Sequence, residues 1–175
     1  TFTPMTCLDG VESMACIAGM GHDIVDCVAF SEQVQQPGTR FEQLFSSRER
    51  LQCRMRGGSK DDYARHLAVR WAGKEAFLKA WSHALSPELI MPYTIEDFPW
   101  ASVEIVSDSL RRPSVYITGD VQEKLYASLR NRGLVSAEQS VRCHISASHD
   151  GSMASAVVLL EIMSAAAMST AVHHT

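Results

Sequence analysis

Glu75 and Lys79 stand four residues apart in the segment RWAGKEAFLKAW, residues 70 to 81. That spacing puts a carboxylate and an ammonium on one face of an α-helix. On a helical wheel they share a stripe with Ala64, Ala68 and Ala72, while Leu67, Phe77 and Trp81 lie toward Arg70 and Lys74. An exposed pair of this kind contributes only about 0.2–0.5 kcal/mol. The surrounding helix is apolar almost all round, so at least one charged face must be covered, and a buried charge needs partners. Alanine neighbours leave room for a ligand or a backbone to approach. A carboxylate beside an ammonium in such a place can hold a hard cation together with the phosphate it neutralises.

A single glutamate is a poor Mg²⁺ site, so a second oxygen ligand is required. Asp23 in GMGHDIVD is the best candidate, because it interrupts a segment that is otherwise apolar toward its end. A third element is HISASHDG, where Ser146 and Ser148 share a strand face with His144 and His149 follows at the turn. Hydroxyls and an imidazole at a strand end suit phosphate oxygens or an adenosine group.

These residues must be carried by definite elements. ACIAGMGHDIVD (15 to 26) reads as a strand, with glycines at 19 and 21 where the backbone passes close to something. CVAFSEQVQQ has short helical spacing through Val28, Phe30 and Val34 and ends at Pro37-Gly38; SSRER opens a second, capped helix. The longest helix runs from Lys60 to His83. ASVEIV and PSVYITG alternate as strands around a turn at DSLRR, DVQEKLYASLRNRG is a helix stopped by Gly133, and VRCHISASH and MASAVVLLEI form a hairpin through Asp150-Gly151. The order β, long helical middle, β-β, α, β-β predicts an α+β fold with an antiparallel sheet packed against a long central helix and shorter helices. A single domain over 15–162 is expected, with 1–14 and 163–175 poorly ordered; His173 and His174 are read as tail rather than metal ligands.

With 175 residues, 46% hydrophobic and 21% charged, the composition is that of a soluble globular domain, and a net charge of −4 argues against nucleic acid or an anionic membrane as partner. No apolar run is long enough to span a bilayer and no secretory leader is evident, so a cytoplasmic location is expected. The cysteines at 7, 16, 27, 53 and 143 have no zinc-ligand spacing and read as reduced thiols.

GMGHDIVD, RWAGKEAFLKAW and HISASHDGSMASAVVL occur in the order and with approximately the spacing of the holo-acyl-carrier-protein synthase type of 4′-phosphopantetheinyl transferase. The resemblance runs from about Ala18 to Glu161, and EQVQQPGTRF looks closest to actinobacterial members. It implies transfer of phosphopantetheine from coenzyme A to a serine of an acyl carrier protein, with release of adenosine 3′,5′-bisphosphate, by a homotrimer with active sites between subunits. Asp23 and Glu75 would then be the Mg²⁺ ligands and Lys79 would meet the phosphates. Arg70 and Lys74 would line the same pocket; Ser146, Ser148 and His149 would be coenzyme A contacts on its far side. A base must take the serine proton, and Glu75, Asp23 or a metal-bound water are all candidates.

Three departures from the family pattern stand out. His22 replaces an apolar residue, and strand alternation turns it away from Asp23 toward packing or an interface. The turn usually written Gly-Lys/Arg-Pro is Arg111-Arg112-Pro113, from which Arg112 can still reach a 3′-phosphate. Ala29 stands where members serving free carrier proteins place an arginine, and Asp26 and Glu32 make that helix acidic; a carrier domain of a type I fatty acid synthase is at least as good a partner. Arg40, Arg48, Arg50, Arg54, Arg56 and Lys60 form either a solvated basic loop or a docking patch. The competing functions are a metal-dependent coenzyme A pyrophosphate hydrolase and a non-catalytic module that binds coenzyme A or a carrier.

Overall fold

Residues 15–87 and 90–164 are described by the computed structural model. Its first strand, β1 (Cys16–Asp26), passes directly into helix α1 (Cys27–Gln35) because Asp26 caps that helix, accepting from the backbone N–H of Val28 at 2.8 Å and of Ala29 at 3.2 Å. Helix α2 (Ser47–Met55) and the long α3 (Lys60–Leu85) each begin with a reciprocal capping box, Ser46 with Glu49 and Ser59 with Asp62. Strands β2 (Val103–Ser107) and β3 (Pro113–Ile117), helix α4 (Gly119–Asn131) and strands β4 (Gln139–Asp150) and β5 (Met153–Ser164) complete the chain, with short 3-10 turns at Phe41–Leu44 and Trp100–Ser102. The expected order and the α+β class both hold.

The strands form two antiparallel sheets rather than one: β1-β5-β4 and β2-β3. Helix α3 bridges them at Gly73, where an added Cβ would press on Ile105 of β2 and Ile145 of β4, each at 3.0 Å. The β4-β5 hairpin is present as expected, but it closes through Gly151 and Ser152, with Gly151 at φ +55°, and pairs Asp150 with Met153, one residue later than the Asp150-Gly151 turn read from the sequence.

The glycines of β1 explain the alanines of α3. An added Cβ at Gly19 or Gly21 would collide with the helix backbone at Ala80 or Ala76, and at Gly21 it would also meet Lys79 Cβ at 2.9 Å. Strand and helix therefore touch backbone to backbone, through Ala76, Ala80 and Ala84 on the helix side. The close backbone approach thus falls at Ala76, Ala80 and Ala84 rather than at the stripe of Ala64, Ala68 and Ala72, which is buried in the core, and this contact fixes Asp23, two residues on, against the helix.

The core lies under α3, where Leu67, Phe77, Trp81 and Leu85 are fully buried with Val158 and Leu160 of β5. Helix α1 buries Cys27, Phe30, Ser31 and Val34, but Val28 is exposed, so the apolar face starts one residue earlier than its pattern suggested. Strand β5 runs to Ser164, just past the expected domain edge. The segments 1–14 and 165–175, with Cys7, His173 and His174, lie outside the described residues. No helix among the described residues is long and apolar enough to cross a membrane.

Candidate active site

Asp23 is buried and its Oδ1 accepts from Lys79 Nζ at 2.7 Å, while its Oδ2 is buried with no hydrogen-bond partner. An orphaned carboxylate oxygen is costly and marks a place where a donor or a cation belongs. Glu75, half-buried one turn before Lys79, is pushed up to about 7 by burial first, by a side-chain hydrogen bond with Asp23 second and by the Asp23 charge third, against the pull of Lys79 and of Trp71. Two carboxylates that cannot both ionise freely, one with an unused buried oxygen, form the kind of donor set that a hard cation completes. Among the described residues no three His, Cys, Asp or Glu side chains are grouped to hold a metal, so a cation placed here would have at most Asp23 and Glu75 as ligands of these types.

Lys74 does not join this group. It is fully buried, paired with Glu49 at 2.9 Å and donating to the carbonyls of Trp100, at 2.8 Å, and Val103. Its three N–H donors are thereby consumed inside the fold, and burial lowers the ammonium's affinity for its proton. Glu49 in turn closes the α2 capping box through Ser46 N and accepts from Ile105 N at 2.9 Å. The expected pocket-lining lysine is thus a staple between α2, α3 and β2.

Arg70 lies at a second site. It is buried, donates to Gln52 Oε1 at 3.2 Å and to the carbonyl of His66 at 3.1 Å, and leaves Nε without a partner. With Arg56, His66, Arg111, Ser148 and His149 it lines a cavity of about 240 Å³. The imidazoles of His66 and His149 face each other with ring centroids 6.4 Å apart. Burial, then Arg70 and Arg111, hold the Arg56 guanidinium below its ordinary range, as expected where cations crowd. Arg56, His66 and Arg111 were not singled out for this pocket in the sequence, because they come from the end of α2, the middle of α3 and the β2-β3 turn.

That turn keeps its form without glycine. Arg111 takes φ +64°, the left-handed conformation, at a cost of about 1 kcal/mol. The Asp108 carboxylate holds it by accepting from Leu110 N and Arg112 N, each at 2.9 Å. Arg112 also pairs with Asp108 through its side chain at 2.7 Å, so Arg111, not Arg112, faces the cavity.

Strand β4 extends through His149, which therefore falls on the helix-facing side, opposite Ser146 and Ser148. Alternation puts both serines on the outer face of the three-stranded sheet with His144, whose Nε2 contacts Glu161 at 2.6 Å, but Ser148, near the strand's end, also borders the Arg70 cavity. His22 is on that outer face too, 2.9 Å from Ser155 Oγ, and turned from Asp23 as alternation requires. The acidic character expected of α1 rests on Glu32, because Asp26 is used as the cap. Of the basic residues that follow, Arg48 pairs with Glu104 at 3.7 Å and Arg54 with Glu42 at 3.5 Å, while Arg56 turns into the cavity.

Comparison with known proteins agrees in sequence and in fold. The family model described as the 4′-phosphopantetheinyl transferase superfamily matches residues 19–145. The chain is 50% identical over 151 residues to the holo-[acyl-carrier-protein] synthase of Bifidobacterium adolescentis, covering 82% of this chain and 99% of that protein. The Mycobacterium tuberculosis holo-[acyl-carrier-protein] synthase is 38% identical over 146 residues, 83% of this chain and 97% of the other. Among solved structures, a Chronobacterium ammoniagenes ACPS–CoA complex superposes with a TM-score of 0.70 at 33% identity, covering 84% of this chain and 96% of that one.

Proposed function

The chain belongs to the 4′-phosphopantetheinyl transferase superfamily, among its holo-[acyl-carrier-protein] synthases, and from that membership we propose that Asp23, Glu75 and Lys79 transfer phosphopantetheine from coenzyme A to a carrier serine with the help of Mg²⁺. The observation that carries this reading is the buried, unpartnered Asp23 Oδ2 beside a Glu75 raised to about 7. Asp23 and Glu75 would hold the ion, which when bound supplies positive charge to the pyrophosphate oxygens. Lys79, with a side chain 56% exposed and tethered to Asp23, would meet the same phosphates. The serine oxygen bonds to the β-phosphorus as its proton passes to a base, the bond between that phosphorus and the bridging oxygen breaks, and adenosine 3′,5′-bisphosphate leaves with the bridging oxygen and the electron pair. The basic cavity around Arg70 takes the nucleotide-end phosphate of coenzyme A.

The carrier is a cytoplasmic acyl carrier protein or the carrier domain of a fatty acid synthase. Ala29 and Glu32 on the exposed side of α1 favour the latter, since neither attracts a free acidic carrier. The functional unit is a homotrimer built on the outer face of the three-stranded sheet, where Ile17, Met20 and Ile24 are 52%, 54% and 55% exposed. Ser146 shares that face and would turn toward the neighbouring subunit, while Ser148 borders the Arg70 cavity.

The test is mass spectrometry of apo carriers incubated with coenzyme A, Mg²⁺ and the protein. A carrier should gain one phosphopantetheine per serine site. Failure with free carriers and with a type I synthase carrier domain alike would sink the proposal, and release of adenosine 3′,5′-bisphosphate from coenzyme A alone would point to hydrolysis.

A further inference from the structure

The cavity behind Arg70 gathers three guanidiniums and two imidazoles from four elements: Arg56 at the end of α2, His66 and Arg70 on α3, Arg111 in the β2-β3 turn and His149 on β4. Two of its buried nitrogens have no hydrogen-bond partner, Arg70 Nε in a side chain 3% exposed and His66 Nδ1 in a half-buried ring. Arg111 reaches this wall only by holding the left-handed backbone conformation that a glycine would adopt freely. No carboxylate is among the lining residues. A site with this much positive charge and unused donors is built for more than one negative charge.

We propose that Arg111 and His66 make this cavity selective for a phosphomonoester dianion, and that binding such a group places a proton on His66. The proposal rests on the transferase reading, in which coenzyme A presents a 3′-phosphomonoester here and dephospho-coenzyme A presents a neutral hydroxyl. It adds the residues that distinguish the two and the proton that accompanies the choice. Arg111 supplies a charge-assisted contact that the Asp108-bound Arg112 does not.

The proton follows from the groups around the ring. Burial first, then Arg56 from α2, Arg70 from α3 and His149 from β4, hold His66 below its ordinary 6.5, with Asp62 on its own helix acting the other way. The empty site therefore keeps this imidazole neutral at neutral pH. A phosphomonoester, whose second ionisation lies near 6, brings about two negative charges and reverses the balance. Binding thus takes up part of a proton, and affinity rises as pH falls from about 8 toward 6.5, until the phosphate itself protonates.

The experiment is isothermal titration calorimetry of the full chain with coenzyme A and with dephospho-coenzyme A at pH 7, in two buffers of different ionisation enthalpy. Wild type should bind coenzyme A more tightly, with proton uptake confined to that ligand. Arg111→Gly and Arg111→Asn, both suited to the left-handed conformation, should weaken coenzyme A about tenfold and leave dephospho-coenzyme A unchanged. His66→Gln should remove most of the proton uptake. An unchanged preference in both Arg111 variants, or uptake that survives His66→Gln, overturns the proposal while wild-type coenzyme A binding still upholds the transferase reading. If wild type binds no coenzyme A at all, both fall together.

Discussion

Lys74 and Lys79 stand five residues apart on one helix, and each faces a carboxylate from another element, yet the two pairs are opposites. Lys74 and Glu49 are both 0% exposed, and Glu49 also accepts from Ile105 N while Lys74 donates to two carbonyls. Lys79 is 56% exposed, and its partner Asp23 keeps one buried oxygen that nothing satisfies. A closed network specifies a packing arrangement; an open one holds unsatisfied demand that a substrate or ion can meet. The family resemblance put both lysines in one pocket. Their partners distinguish them.

The sharpest way to break this contrast is to remove Lys74. Lys74→Ala leaves Glu49 buried without its cation and should cost about 3–5 kcal/mol in urea unfolding. The double change Glu49→Leu with Lys74→Met should recover most of that loss, since a buried pair often exchanges for apolar residues at little cost. A Lys74→Ala protein as stable as wild type would mean that the pair is not the staple it is taken to be.

Lys79→Ala should do the reverse. Only the lysine end of this pair is exposed and the variant leaves buried Asp23 without its donor, so the unfolding curve should move by about 1 kcal/mol, well short of the Lys74→Ala loss. Turnover of apo carrier should fall about a hundredfold through loss of charge stabilisation at the phosphates. A variant that unfolds early and keeps its turnover would invert the contrast.

The sequence was legible wherever one element carries its own signal. The capped start at Ser46 and the glycines of β1 act over a few residues and their consequences appear where expected, and the hairpin read at Asp150-Gly151 is present one residue later. Glu75 and Lys79 are local to one helix, and the structure brings Asp23 to them through the Gly21 contact. Lys74 was misplaced because the residue that claims it, Glu49, lies 25 positions away with no periodicity linking them. The basic cavity was read only in part for the same reason. Arg70, Ser148 and His149 could be found from their motifs, whereas Arg56, His66 and Arg111 meet only when α2, α3 and the β2-β3 turn converge. Arg111 carried a faint signal, a missing glycine in the turn, but its bearing on the site depends on a backbone angle.

The smallest effect separates the open site from the closed one without assaying turnover. Glu75 ionises at about 7 in the fold against an ordinary 4.5, so folding favours its protonated form. Its contribution to stability is fully present below about 4.5 and is lost as pH rises through 7. Metal-free wild type should therefore weaken between pH 5 and 8.5 relative to Glu75→Gln, which has no proton to lose. After allowance for solvent screening at a half-buried group, the difference should be about 1–2 kcal/mol in thermal unfolding. Added Mg²⁺ should restore wild type at pH 8.5 and leave Glu75→Gln largely unmoved, because only the ionised pair gives the cation two charged ligands. Parallel curves for the two proteins across that range, or equal stabilisation of both by Mg²⁺, would show that Glu75 does not carry the strain that makes this half of the helix an open site.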